Sequence, residues 1–231
     1  MTLLTGDTHG RFDGLLENLP YYFLAQGDTI VILGDVGLNY YLNKKDTANK
    51  QLLSNPAFPF TFFCIHGNHE ARPQTIETYK EKIYLGGRVL FEEEFPNIVF
   101  PIDGEVFNFP EGKAIVIGGA YSVDKHYRLT QGMKWFADEQ PSDEIKATVE
   151  EAVRTKTFDY VLSHTCPYKY IPREWFISQV DQSTVDNGTE MWLNSIEGIV
   201  EYKKWYRGHY HGGKIIDKMV FMYKDIRVLG R

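Results

Sequence analysis

"TIVILGD", residues 29–35, carries an unbroken apolar run from Ile30 to Leu33 and then stops at Gly-Asp. A strand exposed on one face would alternate apolar with polar, so this stretch reads as a strand covered on both faces, central in a sheet. The same grammar recurs on either side. "TLLTGD" (2–7) is a short apolar strand ending in a turn, and "FTFFCIHGN" (60–68) is a third buried strand ending in Gly-Asn. Helical segments separate them. "RFDGLLENLP" (11–20) spaces Phe12, Leu15, Leu16 and Leu19 as a helix does, and "NKKDTANKQLLSN" (43–55) stops before Pro56. Strand–helix–strand–helix–strand is the rhythm of an α/β layered domain.

Further along, "GGRVLFEEE" (86–94), "NIVFPIDGEVFNFP" (97–110) and "KAIVIGGA" (113–120) read as short strands with turns between them, an antiparallel meander that makes the sheet system mixed. "PSDEIKATVEEAVRT" (141–155) is a helix with Pro141 and Ser142 at its start and acids in its first turn. "FDYVLSHT" (158–165) is another buried strand, and "NGTEMWLNSIEGIVEY" (187–202) a helix with apolar Met191, Trp192, Ile196 and Ile199. "KWYRGHYH" (204–211) is a strand running into a histidine pair, and "KIIDKMVFMYKDIRVLG" (214–230) supplies two or three closing strands. No repeat, low-complexity tract or linker interrupts residues 1–231, so one domain is the economical reading.

An aromatic share of 15% suits a strand-rich or mixed domain better than a helical bundle. The net charge is −6 and no Lys/Arg block stands out, so there is no footprint for duplex nucleic acid. With only Cys64 and Cys166 the chain is no disulfide scaffold, and both are expected as buried free thiols. "MTLLTGDTHG" has neither a basic start nor a long apolar stretch. The expectation is no signal peptide, no membrane segment and a cytoplasmic location.

The buried strands end in polar clusters: "GDTHG" (6–10), "GDVG" (34–37), "GNHE" (67–70), "SHT" (163–165) and "GHYH" (208–211). Ligands of open α/β sheets gather outside the carboxyl ends of strands, so groups far apart in sequence can meet there. In extended backbone, residues i and i+2 point to the same side, roughly 6–7 Å apart. Asp7/His9 and His209/His211 have that spacing, and each pair could serve two metal ions roughly 3.5–4 Å apart. Mixed Asp, His and Asn donors suit borderline divalent ions, and the lack of thiolates argues against a closed structural zinc site. Taken singly, Asp7, Asp35 and Asn68 beside glycine read as turn residues. Taken with the histidines they read as ligands.

In order and composition these five motifs resemble the signature of the calcineurin-like metallophosphoesterase superfamily, over residues 6–211. The resemblance implies a four-layer α/β/β/α sandwich with two mixed sheets and a metal site at the carboxyl ends of the strands. It implies that Asp7, His9 and His211 hold one metal ion, that Asn68, His164 and His209 hold the other, that Asp35 bridges them, and that His69 lies beside the substrate phosphate. The implied cofactors are two divalent or mixed-valence ions, with Mn, Fe or Zn foremost. The implied reaction is hydrolysis of a phosphomonoester or phosphodiester by a metal-bridging hydroxide. The implied partner is a phosphorylated small molecule, nucleotide or phosphodiester. Two alternatives stay open: a binding scaffold on the same fold, and a Ser/Thr protein phosphatase.

Protein Ser/Thr phosphatases of this superfamily resemble "GDxHG…GDxVDRG…GNHE". Here the second block reads "GDVGLNY" (34–40), with Leu38 where the Asp would stand and Asn39 where the Arg would. In those enzymes the Asp orients the "GNH" histidine and the Arg grips phosphate. The departure weakens the protein-phosphatase alternative and leaves His69 without an obvious supporting partner. Arg11 and Arg128 are the candidate replacement grips on substrate phosphate. His66 is expected in the core or behind the ligands, and His126 in solvent. Trp135 and Trp175 line a cleft or pack at the surface, and residues 86–135 are expected to build the substrate wall.

Overall fold

β2 (Thr29–Ile32) buries every residue, as do β1 (Thr2–Thr5), β9 (Tyr160–Ser163) and β6 (Ile98–Pro101). Their side chains alternate between two apolar layers. Leu4, Val31 and Phe63 join Ala114, Val116, Leu162 and Tyr206 in a central cluster. The alternate residues Leu3, Ile30, Ile32 and Phe62 face outward onto Leu15 of α1 (Asp13–Asn18) and Leu53 of α2 (Lys44–Leu53). On the far side, Ile115, Val161 and Trp205 pack on Val149 and Ala152 of α4 (Asp143–Thr155) and on Leu193 and Ile196 of α5 (Gly188–Glu197). Helix, sheet, sheet, helix is therefore the order of layers. This arrangement belongs to a computed structural model that describes residues 1–178 and 180–231.

The remaining elements are β3 (Thr61–Cys64), β4 (Tyr79–Tyr84), β5 (Gly87–Glu92), β7 (Val106–Phe109), β8 (Gly112–Ile117), α3 (Lys125–Thr130), β10 (Lys204–Arg207), β11 (Lys214–Ile216), β12 (Met219–Phe221) and β13 (Arg227–Val228). One sheet runs β13-β1-β2-β3-β6-β5-β4 and the other β11-β12-β10-β9-β8-β7. β1, β2 and β3 are parallel to one another, and so are β8, β9 and β10. Antiparallel strands complete both edges, so both sheets are mixed.

The expected single meander is split. β5–β6 and β7–β8 are antiparallel pairs, but the chain changes sheet between Pro101 and Val106. Buried Asp103 pins the crossing, accepting from the Arg72 guanidinium at 2.8 Å and from the Gly118 N–H. β4, "YKEKIY", was not foreseen: it is an edge strand whose charged residues mask the strand pattern. α4 starts as its sequence predicts, with the Ser142 hydroxyl accepting from the Ile145 N–H and Asp143 and Glu144 in the first turn.

α5 buries only part of the apolar set read from its sequence: Ile196 is in the core and Trp192 packs against it, but the other two do not join them. Met191 is 55% exposed and Ile199, beyond the helix end, 63%, whereas Glu190, Leu193 and Ile196 are buried. Helical spacing from Leu193 and Ile196 selects that face and brings Glu190 in with them. The Thr165 hydroxyl donates to its carboxylate at 2.7 Å, and burial pushes Glu190 up from 4.5 to about 7. The folded chain therefore binds more protons than the unfolded one between those values, and Glu190 costs stability as pH rises through the window. Glu190→Gln is expected to raise Tm over wild type by roughly 5 °C at pH 8 and by little at pH 4. A Tm difference that does not change between the two would contradict this account of Glu190.

Candidate metal centre

Register aligns the strand ends. Thr5 pairs with Ile32 and Ile32 with Cys64 in one sheet, and Ser163 pairs with Arg207 and Ile117 in the other. Each polar motif begins within a few residues of those ends, so Asp7, Asp35, Asn68, His164 and His209 are delivered to one edge of the sandwich. The convergence expected from the strand-end rule is present. The extended backbone expected for the i, i+2 pairs is not: His9 (φ 49°), Asp35 (φ 46°), His209 (φ 71°) and His211 (φ 48°) are all left-handed. The side chains converge because tight turns curl the chain back after each strand, not because a pleat puts them on one face. Non-glycine residues in this region carry strain of order 1 kcal/mol each, and such strain clusters at functional sites.

Gly34 (φ +95°) lets the Asp35 turn lie against the His164 ring, and a Cβ there would collide with that ring. Gly34→Ala is accordingly expected to displace His164, lower metal affinity, and destabilise the fold by about 2 kcal/mol or more. Metal titration and denaturant melts check it, and wild-type values for both would contradict the packing.

Two sets of donor atoms result. In the first, one ligand atom each from Asp7, His9, Asp35 and His211 lie within 4.8 Å of one another, and the Nε2 atoms of His9 and His211 are 2.9 Å apart. In the second, Asn68 Oδ1 lies 2.8 Å from His164 Nε2 and 3.0 Å from His209 Nδ1. Asp35 sits between the sets. Its Oδ2 is 3.8 Å from His9 Nε2 and its Oδ1 is 3.6 Å from His164 Nε2. Oδ1 also accepts the His69 backbone N–H at 2.8 Å, and both Asp7 carboxylate oxygens accept the His209 N–H at 3.0 Å.

The donors fit a cation. His164 Nδ1 donates to the Leu33 carbonyl at 2.8 Å, so a neutral His164 turns a bare Nε2 lone pair on the Asn68 carbonyl oxygen. The Asn68 amide is fixed in that sense: its Nδ2 donates to Ser122 Oγ, whose own hydrogen goes to Glu139 at 2.5 Å. Two acceptors thus face each other at 2.8 Å with no hydrogen between them, a separation natural for atoms sharing one metal ion.

Electrostatics agrees. Burial drives His9 down to about 4 and lowers His164, His209 and His211 as well, so all four are in the neutral, ligating form near pH 7. Burial and the neighbouring Asp35 push Asp7 well up. Burial acts on Asp35 too, but His164, His69 and His9 outweigh it and hold it below the ordinary carboxylate range. The buried Arg207 guanidinium offsets part of the repulsion between the two carboxylates, yet Asp7 is still pushed up, and a bound cation would relieve it further.

The residues behind the candidate ligands were not foreseen. Ser122 also accepts from the Arg128 guanidinium at 3.1 Å, and Trp135 Nε1 donates to Glu139 at 2.8 Å. Arg128, expected as a phosphate grip, is 0% exposed; its Nε donates to the Lys134 carbonyl and one terminal nitrogen to Ser122, while the other terminal nitrogen has no hydrogen-bond partner among the described residues. It braces the Asn68 support from inside, because α3 turns it toward the core. Glu70 accepts the Val36 and Gly67 N–H groups at 3.3 and 3.2 Å, joining two ligand loops, and burial pushes it up to about 8. Asp124 places Oδ1 3.7 Å from His69 Nε2, facing the histidine from a loop that follows β8. It takes the N-cap position of α3, well past the end of β8, where the strand-end rule does not reach.

Leu38 and Asn39 are buried, and Asn39 Oδ1 accepts from the Tyr79 hydroxyl at 3.0 Å, so neither takes the place of a side chain turned to the centre. Arg11 is exposed and lines two clefts beside His9. His66 is buried with neither ring nitrogen hydrogen-bonded among the described residues, and His126 is exposed on α3. Cys64 and Cys166 are buried and free. Residues 86–135 contribute only Tyr121, Val123 and Asp124 to the most apolar of the clefts at the centre; most of its wall comes from 171–187. β5 to β8 are consumed by the sheets, which leaves that segment to form the wall.

No helix among the described residues is long and apolar enough to cross a membrane. A search of curated proteins found no match. The sequence model of the calcineurin-like phosphoesterases, by contrast, matches residues 2–213, from β1 to just past the histidine pair. With Asp, Asn and His gathered from both sheets at the strand ends, the chain belongs to the calcineurin-like phosphoesterase family.

Proposed function

We propose that the chain hydrolyses phosphomonoesters or phosphodiesters at a centre of two cations, with Asp35 shared between them. The carrying observation is Asp35 itself, which turns one carboxylate oxygen toward each donor set. Asp7, His9 and His211 would hold one ion, and Asn68, His164 and His209 the other. Borderline divalent ions, Mn, Fe or Zn foremost, suit that donor set. Such ions supply Lewis acidity, acidifying the attacking water and neutralising charge on the phosphoryl oxygens.

The other roles fall to the protein. His69, at the base of the apolar cleft, would give a proton from its ring to the ester oxygen as the P–O bond breaks. Asp124 faces that ring and would hold it in position, the task for which Leu38 offers no group. Arg11, exposed beside His9, is the remaining candidate for gripping phosphate. The buried side chains of Leu38 and Asn39 also favour small esters over phosphoserine peptides, whose enzymes resemble a different second block. Two buried free thiols suit the reducing cytoplasm to which we assign it.

Asp124→Asn is expected to lower kcat about tenfold while leaving metal content at wild type. An unchanged kcat would remove Asp124 from the mechanism. The function as a whole is tested by stripping the protein, reloading it with Mn²⁺, and assaying a chromogenic phosphomonoester beside the matching diester. Metal-dependent release is expected, and the ratio of the two defines the ester class. No release from either, with cations bound, would leave the fold as a binding scaffold.

A further inference from the structure

A cleft of about 310 Å³ opens directly from the centre, with Asp35, Asn68, His69, His209 and His211 at its base. Its walls are Val123, Ile171, Trp175, Phe176, Ile177 and Val185. Ile177 is 56% exposed and Val123 40%, so large apolar side chains face water beside a polar centre. Apolar surface exposed in that way marks a place where something apolar binds.

Trp175 is built into position. A Cβ on Gly212 would come within 2.6 Å of the indole ring, so the glycine after the histidine pair is what lets the ring press on the ligand loop. Phe221 meets the indole edge-on at 5.7 Å. The cleft wall therefore packs directly on the loop that carries His209 and His211.

Charge narrows the occupant. No lysine or arginine lines this cleft among the described residues, whereas Asp124, Asp186 and Glu190 do. The two other clefts at the centre carry Arg11 with Lys224 and Arg11 with Lys45. An anionic tail is opposed in the first cleft and favoured in the others.

We infer that the apolar cleft takes the organic group of the phosphoester, and that this group is bulky, apolar and free of negative charge. This rests on the phosphoesterase reading above.

The test uses three hydrolysis-inert probes on the metal-loaded protein, read by calorimetry: 2-(2-naphthyl)ethylphosphonate, ethylphosphonate and 2-carboxyethylphosphonate. The naphthyl probe is expected to bind about tenfold or more tighter than the ethyl probe. The carboxyethyl probe is expected to gain nothing from this cleft, so its affinity relative to the ethyl probe should not change in Trp175→Ala. Ile177→Glu, at an exposed position, and Trp175→Ala are each expected to bring the naphthyl-to-ethyl ratio toward one. Equal affinities for the naphthyl and ethyl probes, binding by none of them, or a preference that survives both substitutions would overturn the inference. The corresponding phosphate esters separate the two failures. Metal-dependent hydrolysis without a naphthyl preference sinks the cleft alone, and hydrolysis of none of them sinks the phosphoesterase reading.

Discussion

Asp35→Asn is expected to cut turnover by about 10³ or more and to weaken binding of both cations together. The substitution is unusually clean here. Asp35 sits at φ 46°, a left-handed conformation that asparagine tolerates at least as well as aspartate. The Asn carbonyl oxygen can still accept the His69 backbone N–H that Asp35 Oδ1 accepts at 2.8 Å. The turn therefore survives, and what is lost is one negative charge between the two donor sets. Metal content by elemental analysis and kcat on a chromogenic ester read the two consequences separately. A variant that keeps full activity would end the case for a shared carboxylate, and one that loses a single cation would make Asp35 a ligand of one set only.

His69→Ala should behave in the opposite manner, with metal stoichiometry retained and kcat lower by about 10²–10⁴. The backbone N–H of residue 69, which carries the bond to Asp35, is unaffected by removing the ring. The imidazole lies T-shaped to His9 at 5.3 Å and faces Asp124, and belongs to neither donor set. On the proposed mechanism, its absence would remove the proton donor at the substrate side without disturbing the candidate ligands. Loss of metal in this variant would mean that His69 is itself a ligand.

How much of this was legible in the sequence follows from what each feature depends on. The layers were legible because Ile30, Val31 and Ile32 alternate between two apolar clusters, and a strand with no polar face has only a central place to go. The gathering of Asp7, Asp35, Asn68, His164 and His209 was legible because parallel strands in register deliver their carboxyl ends to one edge. The local backbone was not. Nothing in the residue types of His9 or His211 announces a left-handed φ, and an i, i+2 spacing suits a turn as well as a strand.

Long-range partners were equally hidden. Arg128 looked like a free cation, and only the fold shows it buried under Ser122 and bracing the Asn68 amide. The sheet change at 102–105 depends on Asp103 meeting Arg72, a pairing that no local pattern encodes. The cleft wall at 171–187 has no periodicity to read, since its role comes from where the loop lies beside the histidine pair.

The measurement that bears most directly on the central claim is an anomalous difference map from crystals of the Mn²⁺-reloaded protein. Two peaks per chain are predicted, one among Asp7, His9 and His211 and the other among Asn68, His164 and His209, with Asp35 in contact with both. A single peak, or a pair that does not share Asp35, would contradict the two-cation centre.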